Sequence, residues 1–315
     1  MYENPVFMKK VSANVEGRDF VVGDIHGCFE ELEKLLVHVK FNPTVDRLFS
    51  TGDLIDRGPR SADCLSLLVK DWFYPVLGNH EDLYLNKFKL LGNNQELSLS
   101  YEEIDYIRSL ERFIPDIMKM PLVYEVDHLL LGKFYIIHSE ILPEHLHSFS
   151  EDEIGNKEYE TFFNSMKKFD FSQQIIDFFK RHEEKILNYT LKQKILWSRK
   201  TVGAFYKDNK DSIDHGDFSF MNDNMFHQKT KVFCGHNVVP FPMKIGQQYY
   251  IDTGAALGHA SKEINSHLFS QFGHEFFALS MIEVTTGVCY GCISSNDKRY
   301  EIMRLEKSLY ENEIK

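Results

Sequence analysis

The stretch RLFSTGDLIDRG, Arg47 to Gly58, decides how this chain is read. An apolar pair, Leu48 and Phe49, runs into a polar segment that sets Asp53, Asp56 and Arg57 between Gly52 and Gly58. Glycine at both ends permits backbone turns that a side chain would obstruct. A charged loop directly after a strand packs poorly in a core but suits the mouth of a sheet, where α/β folds assemble their sites. It becomes a site only if other segments supply matching groups.

They do. Upstream, Asp19–Gly23 (DFVVG) reads as a short buried strand ending in Asp24-Ile25-His26-Gly27, followed by a helix over Cys28–Val39 with Leu32, Leu35, Leu36 and Val39 at helical spacing. Downstream of Pro59 and Ser61 lies a helical stretch with Leu65, Leu67, Leu68 and Val69. Trp72–Leu77 reads as a third strand ending in Gly78-Asn79-His80-Glu81, with a helix over Leu83–Leu91. Strand, polar glycine loop and helix in repeated order are the βαβ grammar of an α/β domain.

Residues 92–121 read as a polar helical insertion. Leu122–Val126 and Lys133–Ile137 form a hairpin whose second arm delivers His138. A charge-rich helical insertion at about 139–196 is expected to cover or flank a cleft, with a substrate-selecting or partner-binding cap as the sharper alternative. Trp197-Ser198-Arg199 follows, then a polar, loop-like 206–225. Lys231–Cys234 enters Gly235-His236-Asn237, and Tyr249–Ile251 enters Asp252-Thr253-Gly254. Ala278–Val284, Val288–Ile293 and Tyr300–Leu305 have strand propensity and are expected to supply a second sheet or its edge. The expected fold is α/β: one domain over residues 1–315, two packed mixed β-sheets flanked by helices, with added helical insertions and no linker or repeat.

Composition agrees with a folded globule. Apolar residues make up 43% and aromatics 14% of 315 residues, enough for a sizeable core. The net charge of −11 disfavours nucleic acid and anionic membranes as partners, but a locally positive metal site in an acidic protein still accommodates a phosphorylated substrate. The first twenty residues lack a continuous apolar segment, and no apolar run is long enough to span a bilayer. Cytoplasmic residence is the expectation, although export without a cleaved peptide leaves no mark of this kind. Five scattered cysteines fit a reducing compartment. Cys289-Tyr290-Gly291-Cys292 is read as a structural turn with reduced thiols rather than a redox pair or half a zinc site, because no second CxxC completes it.

The chemistry converges. Asp24 and His26, Asp53, Asn79, His138 and His236 each follow an apolar run and together offer a mixed nitrogen and oxygen ligand set. Such a set suits Mn, Fe or Zn better than an all-oxygen Mg site. Two ions about 3.5–4 Å apart can hold and activate a bridging water for in-line attack on phosphorus. Arg57 can grip two phosphate oxygens, and Arg199 is a second candidate. His80 can protonate the leaving oxygen, with Asp56 orienting its imidazole. Taken singly, Asp24-Ile25-His26 and Gly78–Glu81 also read as capped turns, the Gly52–Gly58 loop as a salt-bridged turn, and His138 or His236 as core histidines. Their joint occurrence favours the site.

These blocks resemble the metal-dependent phosphoprotein phosphatases of the calcineurin-like metallophosphoesterase superfamily, especially the small bacterial and phage members. GDIHG (Gly23–Gly27), GDLIDRG (Gly52–Gly58) and GNHE (Gly78–Glu81) match three signature blocks, while FCGHNVV (Phe233–Val239) and YIDTGA (Tyr250–Ala255) resemble later ones. The resemblance implies Asp24, His26 and Asp53 around a first metal, and Asp53, Asn79, His138 and His236 around a second. It also implies His80 with Asp56 as general acid, Arg57 and Arg199 as phosphate ligands, and manganese as the usual support. Two departures stand out. Ser139-Glu140 replaces the small pair usual after the histidine; Glu140 would narrow the site, bind a further cation or point outward, and Ser139 would hydrogen-bond near the second metal. The aromatic, cysteine-containing C-terminal loop of eukaryotic catalytic subunits has no counterpart here.

The function so implied is a protein phosphatase acting on phosphoserine and phosphothreonine, with phosphotyrosine as a further substrate, by direct attack of a metal-bridging water. A dinucleoside tetraphosphate hydrolase is the nearest rival. A non-catalytic metal-containing module that binds a partner through the insertion is the rival of another class.

Overall fold

Phe20, Val21 and Val22 are apolar on both faces of a strand, which requires cover on both sides. That strand, β2 (Asp19–Val22), pairs in parallel with β3 (Arg47–Ser50), and β3 with β4 (Phe73–Pro75). The computed structural model describes residues 7–92, 99–140, 192–193, 195–199, 203, 231–259, 277–294, 300–305 and 309–310.

The remaining strands are β1 (Met8–Val11), β5 (Val123–His128), β6 (Gly132–Ile137), β7 (Lys231–Cys234), β8 (Met243–Ile245), β9 (Gln248–Tyr250), β10 (Ala278–Glu283), β11 (Cys289–Ser294) and β12 (Tyr300–Leu305). One sheet has the order β12-β11-β10-β2-β3-β4, the other β1-β5-β6-β7-β9-β8. Both are mixed, as expected. Between them, Val21, Phe49 and Ile282 of the first sheet meet Tyr124, Phe134, Ile136, Phe233 and Tyr249 of the second. Phe49 and Phe134 pack edge to face, with ring centres 6.0 Å apart. The alternate residues Phe20, Val22 and Leu48 face outward onto α1 (Phe29–His38), which contributes Leu32 and Leu35. Short helices α2 (Ser61–Leu65), α3 (Asn79–Gly92), α4 (Tyr101–Leu110) and α5 (Ile114–Ile117) complete the cover. The α4 helix starts at a capping box in which Ser100 and Glu103 satisfy each other's backbone N–H.

Several expectations change. The C-terminal strands extend the first sheet instead of forming or edging a second: β10 runs antiparallel to β2, with Met281 opposite Val22 and Ile282 opposite Val21. A parallel β2-β3-β4 unit leaves one edge of β2 unpaired, and the apolar β10 fills it. The third strand shrinks to Phe73–Pro75, because beyond it the Leu77 N–H turns away to the Pro121 carbonyl. The strands β1 (MKKV) and β8 (MKI) escaped sequence reading. They are short, partly polar edge strands whose conformation comes from their partners.

Cys289 and Cys292 lie on strand β11 rather than in a turn. Three residues apart on a strand, their side chains face opposite sides, Cys289 toward the intersheet layer and Cys292 toward the helices. That spacing rules out the pair as joint ligands or as a disulfide; all five thiols are free and buried. The 206–225 loop and residues 141–191 of the second insertion lie outside the described residues.

Charged anchors fix the entry to this sheet. Arg47 holds Asp19 through Nε and Nη2 at 2.7 and 2.8 Å. Buried Asp46 accepts from the Arg18 backbone N–H (2.8 Å), Arg18 Nη2 (2.6 Å) and the Asn42 N–H (2.9 Å). Burial alone would raise the Asp46 carboxyl, but these donors outweigh it and hold it below the usual carboxylate range. A lowered folded-state pKa stabilises above the unfolded value and loses that contribution as pH falls through the folded one. Asp46→Asn should therefore cost about 1–3 kcal/mol at neutral pH. In urea unfolding at stepped pH, that difference should shrink below about pH 4.

Candidate metal centre

Each sheet contains three adjacent parallel strands, β2-β3-β4 in one and β6-β7-β9 in the other. The loops at their C-terminal ends carry Asp24–Gly27, Thr51–Gly58, Gly78–His80, His138–Glu140, Gly235–Asn237 and Ile251–Gly254. Because the sheets are packed face to face, all six loops open at the same edge. Topology alone thus gathers residues more than two hundred positions apart.

The backbone there is contorted. Six non-glycine residues among those described have positive φ, and five are His26, Asp53, Asp56, Arg57 and His236. Such conformations are costly for residues with a Cβ and persist only where the surroundings over-determine them. The surroundings do. The His26 N–H donates to the Asp53 carbonyl (2.7 Å), the Gly27 N–H to Leu54 (2.9 Å), and the Gly58 N–H back to His26 (2.8 Å). Buried Glu81 accepts four backbone N–H groups, from Leu54 (2.7 Å), Asp53 (3.0 Å), Ile55 (3.3 Å) and Gly78 (3.0 Å). Gly235 is required by proximity, since a Cβ there would lie 1.9 Å from Asp24 Oδ1.

All ten expected site residues meet at this edge. Asp53 Oδ2 lies 3.4 Å from His26 Nε2, 3.6 Å from His138 Nε2 and 3.9 Å from His80 Nε2. Asn79 Oδ1 lies 2.7 Å from His138 Nε2 and 3.0 Å from His236 Nδ1. The Asp24 carboxylate accepts from Thr51 Oγ1 and the His236 backbone N–H, both at 2.8 Å. His80 Nδ1 contacts Asp56 Oδ2 at 2.5 Å. The Arg57 guanidinium spans two imidazoles, with Nη1 3.1 Å from His26 Nε2 and Nη2 3.2 Å from His80 Nε2. Arg199 Nη1 donates to the His236 carbonyl at 3.0 Å and to Asn237 Oδ1 at 3.4 Å.

The donor set fits a cation. His138 must donate from Nδ1 to the Thr51 carbonyl (2.7 Å), so in the neutral ring Nε2 turns a lone pair toward Asn79 Oδ1 and Asp53 Oδ2. His236 Nε2 is buried without a hydrogen-bond partner. Burial holds His138 and His236 neutral, at about 3 and about 2, and drives His26 well down, with the Arg57 charge adding to the effect. Burial also pushes the Asp24 and Asp53 carboxyls well up; Asp252 repels Asp24, and Glu81 repels Asp53. Lone pairs facing lone pairs and carboxylates crowded out of water are the arrangement that a divalent ion relieves.

Sequence reading did not assign several neighbours. Glu81 belongs to a recognised block, but its clamping role requires knowing which N–H groups converge on it. Asp252, the carboxylate of Ile251-Asp252-Thr253-Gly254, is buried beside Asp24 and accepts the Gly254 N–H at 2.9 Å. Its place between an apolar run and a glycine was the available signal. Glu140 does not point outward: it is buried, accepting from Ser198 Oγ (2.7 Å) and Tyr250 OH (3.1 Å). Ser139 Oγ donates to the Ile195 carbonyl at 2.5 Å and accepts the Ser198 N–H at 3.2 Å. The unusual Ser139-Glu140 pair therefore fastens the turn that carries Arg199.

Comparison with known proteins identifies the family. A 67-residue stretch is 55% identical to serine/threonine-protein phosphatase 1 of Salmonella typhimurium, covering 21% of this chain and 31% of that one. A 131-residue stretch is 35% identical to the symmetrical bis(5'-nucleosyl)-tetraphosphatase of Actinobacillus succinogenes, covering 40% and 45%. The aligned stretches span less than half the length of either relative. Among solved structures, a cold-active protein-tyrosine phosphatase of a psychrophilic Shewanella superposes with a TM-score of 0.47 at 15% identity, over 94% of this chain and 83% of that one. The family model for calcineurin-like phosphoesterases matches residues 20–262, which span every strand-end loop of the site. This chain belongs to the calcineurin-like phosphoesterases, a family that binds divalent metals.

Proposed function

We propose that this chain is a metal-dependent protein phosphatase that hydrolyses phosphoserine and phosphothreonine monoesters, with phosphotyrosine as a further substrate. The observation that carries this reading is the 2.5 Å contact between His80 and Asp56 beside Arg57. A serine or threonine alkoxide is a poor leaving group near neutral pH and needs a positioned proton donor. Cleavage of a dinucleoside tetraphosphate expels a far better leaving group, so a built acid dyad matters less there. That rival keeps its standing from the tetraphosphatase relative.

Asp24, His26 and Asp53 would hold one ion, and Asp53, Asn79, His138 and His236 a second, most simply Mn2+. Such ions would supply Lewis acidity and lower the pKa of water at the site. The residues do the rest. Arg57 turns its guanidinium toward the phosphoryl oxygens when substrate arrives, leaving His80 Nε2 free to carry a proton. Asp56 accepts from Nδ1 and fixes the ring, so that Nε2 faces the leaving oxygen to which it gives its proton. Arg199 approaches from beside His236, and its position depends on the Ser139-Glu140 fastening.

The deciding experiment sets phosphoserine, phosphothreonine and phosphotyrosine peptides against a symmetrical dinucleoside tetraphosphate, using Mn2+-reconstituted protein. Faster turnover of the tetraphosphate would reverse the assignment. His80→Asn should lower kcat on phosphopeptides by about 10²–10⁴-fold with metal content unchanged. An aryl phosphate should be much less affected. Asp53→Asn should lose metal and activity together. Glu140→Gln should retain metal but lower kcat/KM about tenfold, chiefly through KM, as expected for ~1.4 kcal/mol of lost phosphate positioning.

A further inference from the structure

A second group of potential ligands lies behind the first. Cys28 occupies the N-cap position of α1, and Glu31 follows in its first turn, so the two side chains share one helical face. His259 ends the short 3-10 turn Ala255–His259, which follows the Asp252-Thr253-Gly254 loop. Cys28 Sγ, a Glu31 carboxylate oxygen and a His259 ring nitrogen lie within 4.8 Å of one another. We propose that Cys28, Glu31 and His259 form a separate, thiolate-containing metal site that takes Zn2+ or a similar borderline cation.

The donors fit that class of ion. Sulfur, nitrogen and oxygen from a cysteine, a histidine and a carboxylate match zinc, whereas the first centre offers only nitrogen and oxygen. With Zn–S about 2.3 Å and Zn–N or Zn–O about 2.0–2.2 Å, donors around a tetrahedral ion stand roughly 3.3–3.7 Å apart. Here His259 Nε2 and Glu31 Oε1 are 2.8 Å apart, in a hydrogen bond whose proton shares the space the ion would take. An ion seated here would part this pair and draw in the sulfur, which lies within 4.8 Å of both.

Burial points the same way. Cys28 is fully buried and Glu31 is 2% exposed, so the carboxylate is kept from water beside a thiol that the phosphoesterase chemistry does not use. A divalent cation at this position would compensate the charge of a carboxylate held out of water. His259 is 24% exposed at its side chain, giving the ion a route from solvent and leaving a fourth position for water. Binding would release the Cys28 thiol proton to solvent. Cys28 also lies two residues beyond His26, and its Sγ donates to the His26 carbonyl at 3.8 Å, so the two sites stand back to back on one loop.

Thiolate ligation has an optical signature that the first centre cannot produce. The full chain, stripped of metal and titrated with Co2+, should develop a near-ultraviolet sulfur-to-cobalt charge-transfer band. The band should persist in Asp53→Asn, which disables the first centre, and vanish in Cys28→Ser. His259→Ala, at a partly exposed position that threatens folding little, should weaken Co2+ binding at this site by at least about tenfold. No band on the folded, cobalt-loaded chain would overturn the proposal. So would a band that survives Cys28→Ser, which would place the thiolate elsewhere, or unchanged affinity in His259→Ala.

Discussion

One carboxylate governs the arrangement of this protein's site. Glu81 sits fully buried in the first turn of α3 and accepts N–H groups from Asp53, Leu54, Ile55 and Gly78. A buried carboxylate without such donors would be strongly unfavourable, and the loop N–H groups without an acceptor would be orphaned. Each therefore requires the other. The result joins the loop after β3 to the loop after β4, and places Asp53 between His26 on one side and Asn79 with His138 on the other.

That clamp explains how the loops tolerate their backbone. His26, Asp53, Asp56, Arg57 and His236 occupy left-handed conformations, each costing of order 1–3 kcal/mol. The regular βαβ scaffold below, with Phe20, Phe49 and Phe134 packed on either side of the sheet, provides the stability against which that strain is held. The strain is local and purposeful in effect. In a relaxed extended loop, successive side chains would alternate in direction, and Asp53 and Asp56, three residues apart, would face opposite sides.

Electrostatics then complete the site's character. Asp24, Asp53, Glu81 and Asp252 are buried close together, with neutral His138 and His236 turned toward them. Few arrangements are so poorly suited to an apolar core or so well suited to cations. Arg57 and Arg199 stand against these groups and bring positive charge to the site of a chain whose net charge is −11.

Much of this was legible in the sequence, for a definable reason. Strands β2, β3, β7 and β12 were readable because short apolar runs ended by glycine or charge leave little alternative, and the loop motifs name their own chemistry. The ten candidate residues came from residue type, local pattern and the resemblance of their loop blocks to a known family. What remained hidden depends on partners distant in the chain. The edge strands β1 and β8 have no strong pattern of their own, and β10 to β12 could not be assigned to a sheet without knowing which edge was open. Cys289 and Cys292 look like a pair in one dimension but face opposite sides once the segment is extended. The burial of Glu140 against Ser198 and Tyr250, and the meeting of Cys28, Glu31 and His259, likewise arise from contacts across tens to hundreds of residues. Sequence determined which groups were available and which local turns they favoured; only tertiary packing decided which of them meet, because contact between distant segments is set by sheet order and not by spacing along the chain.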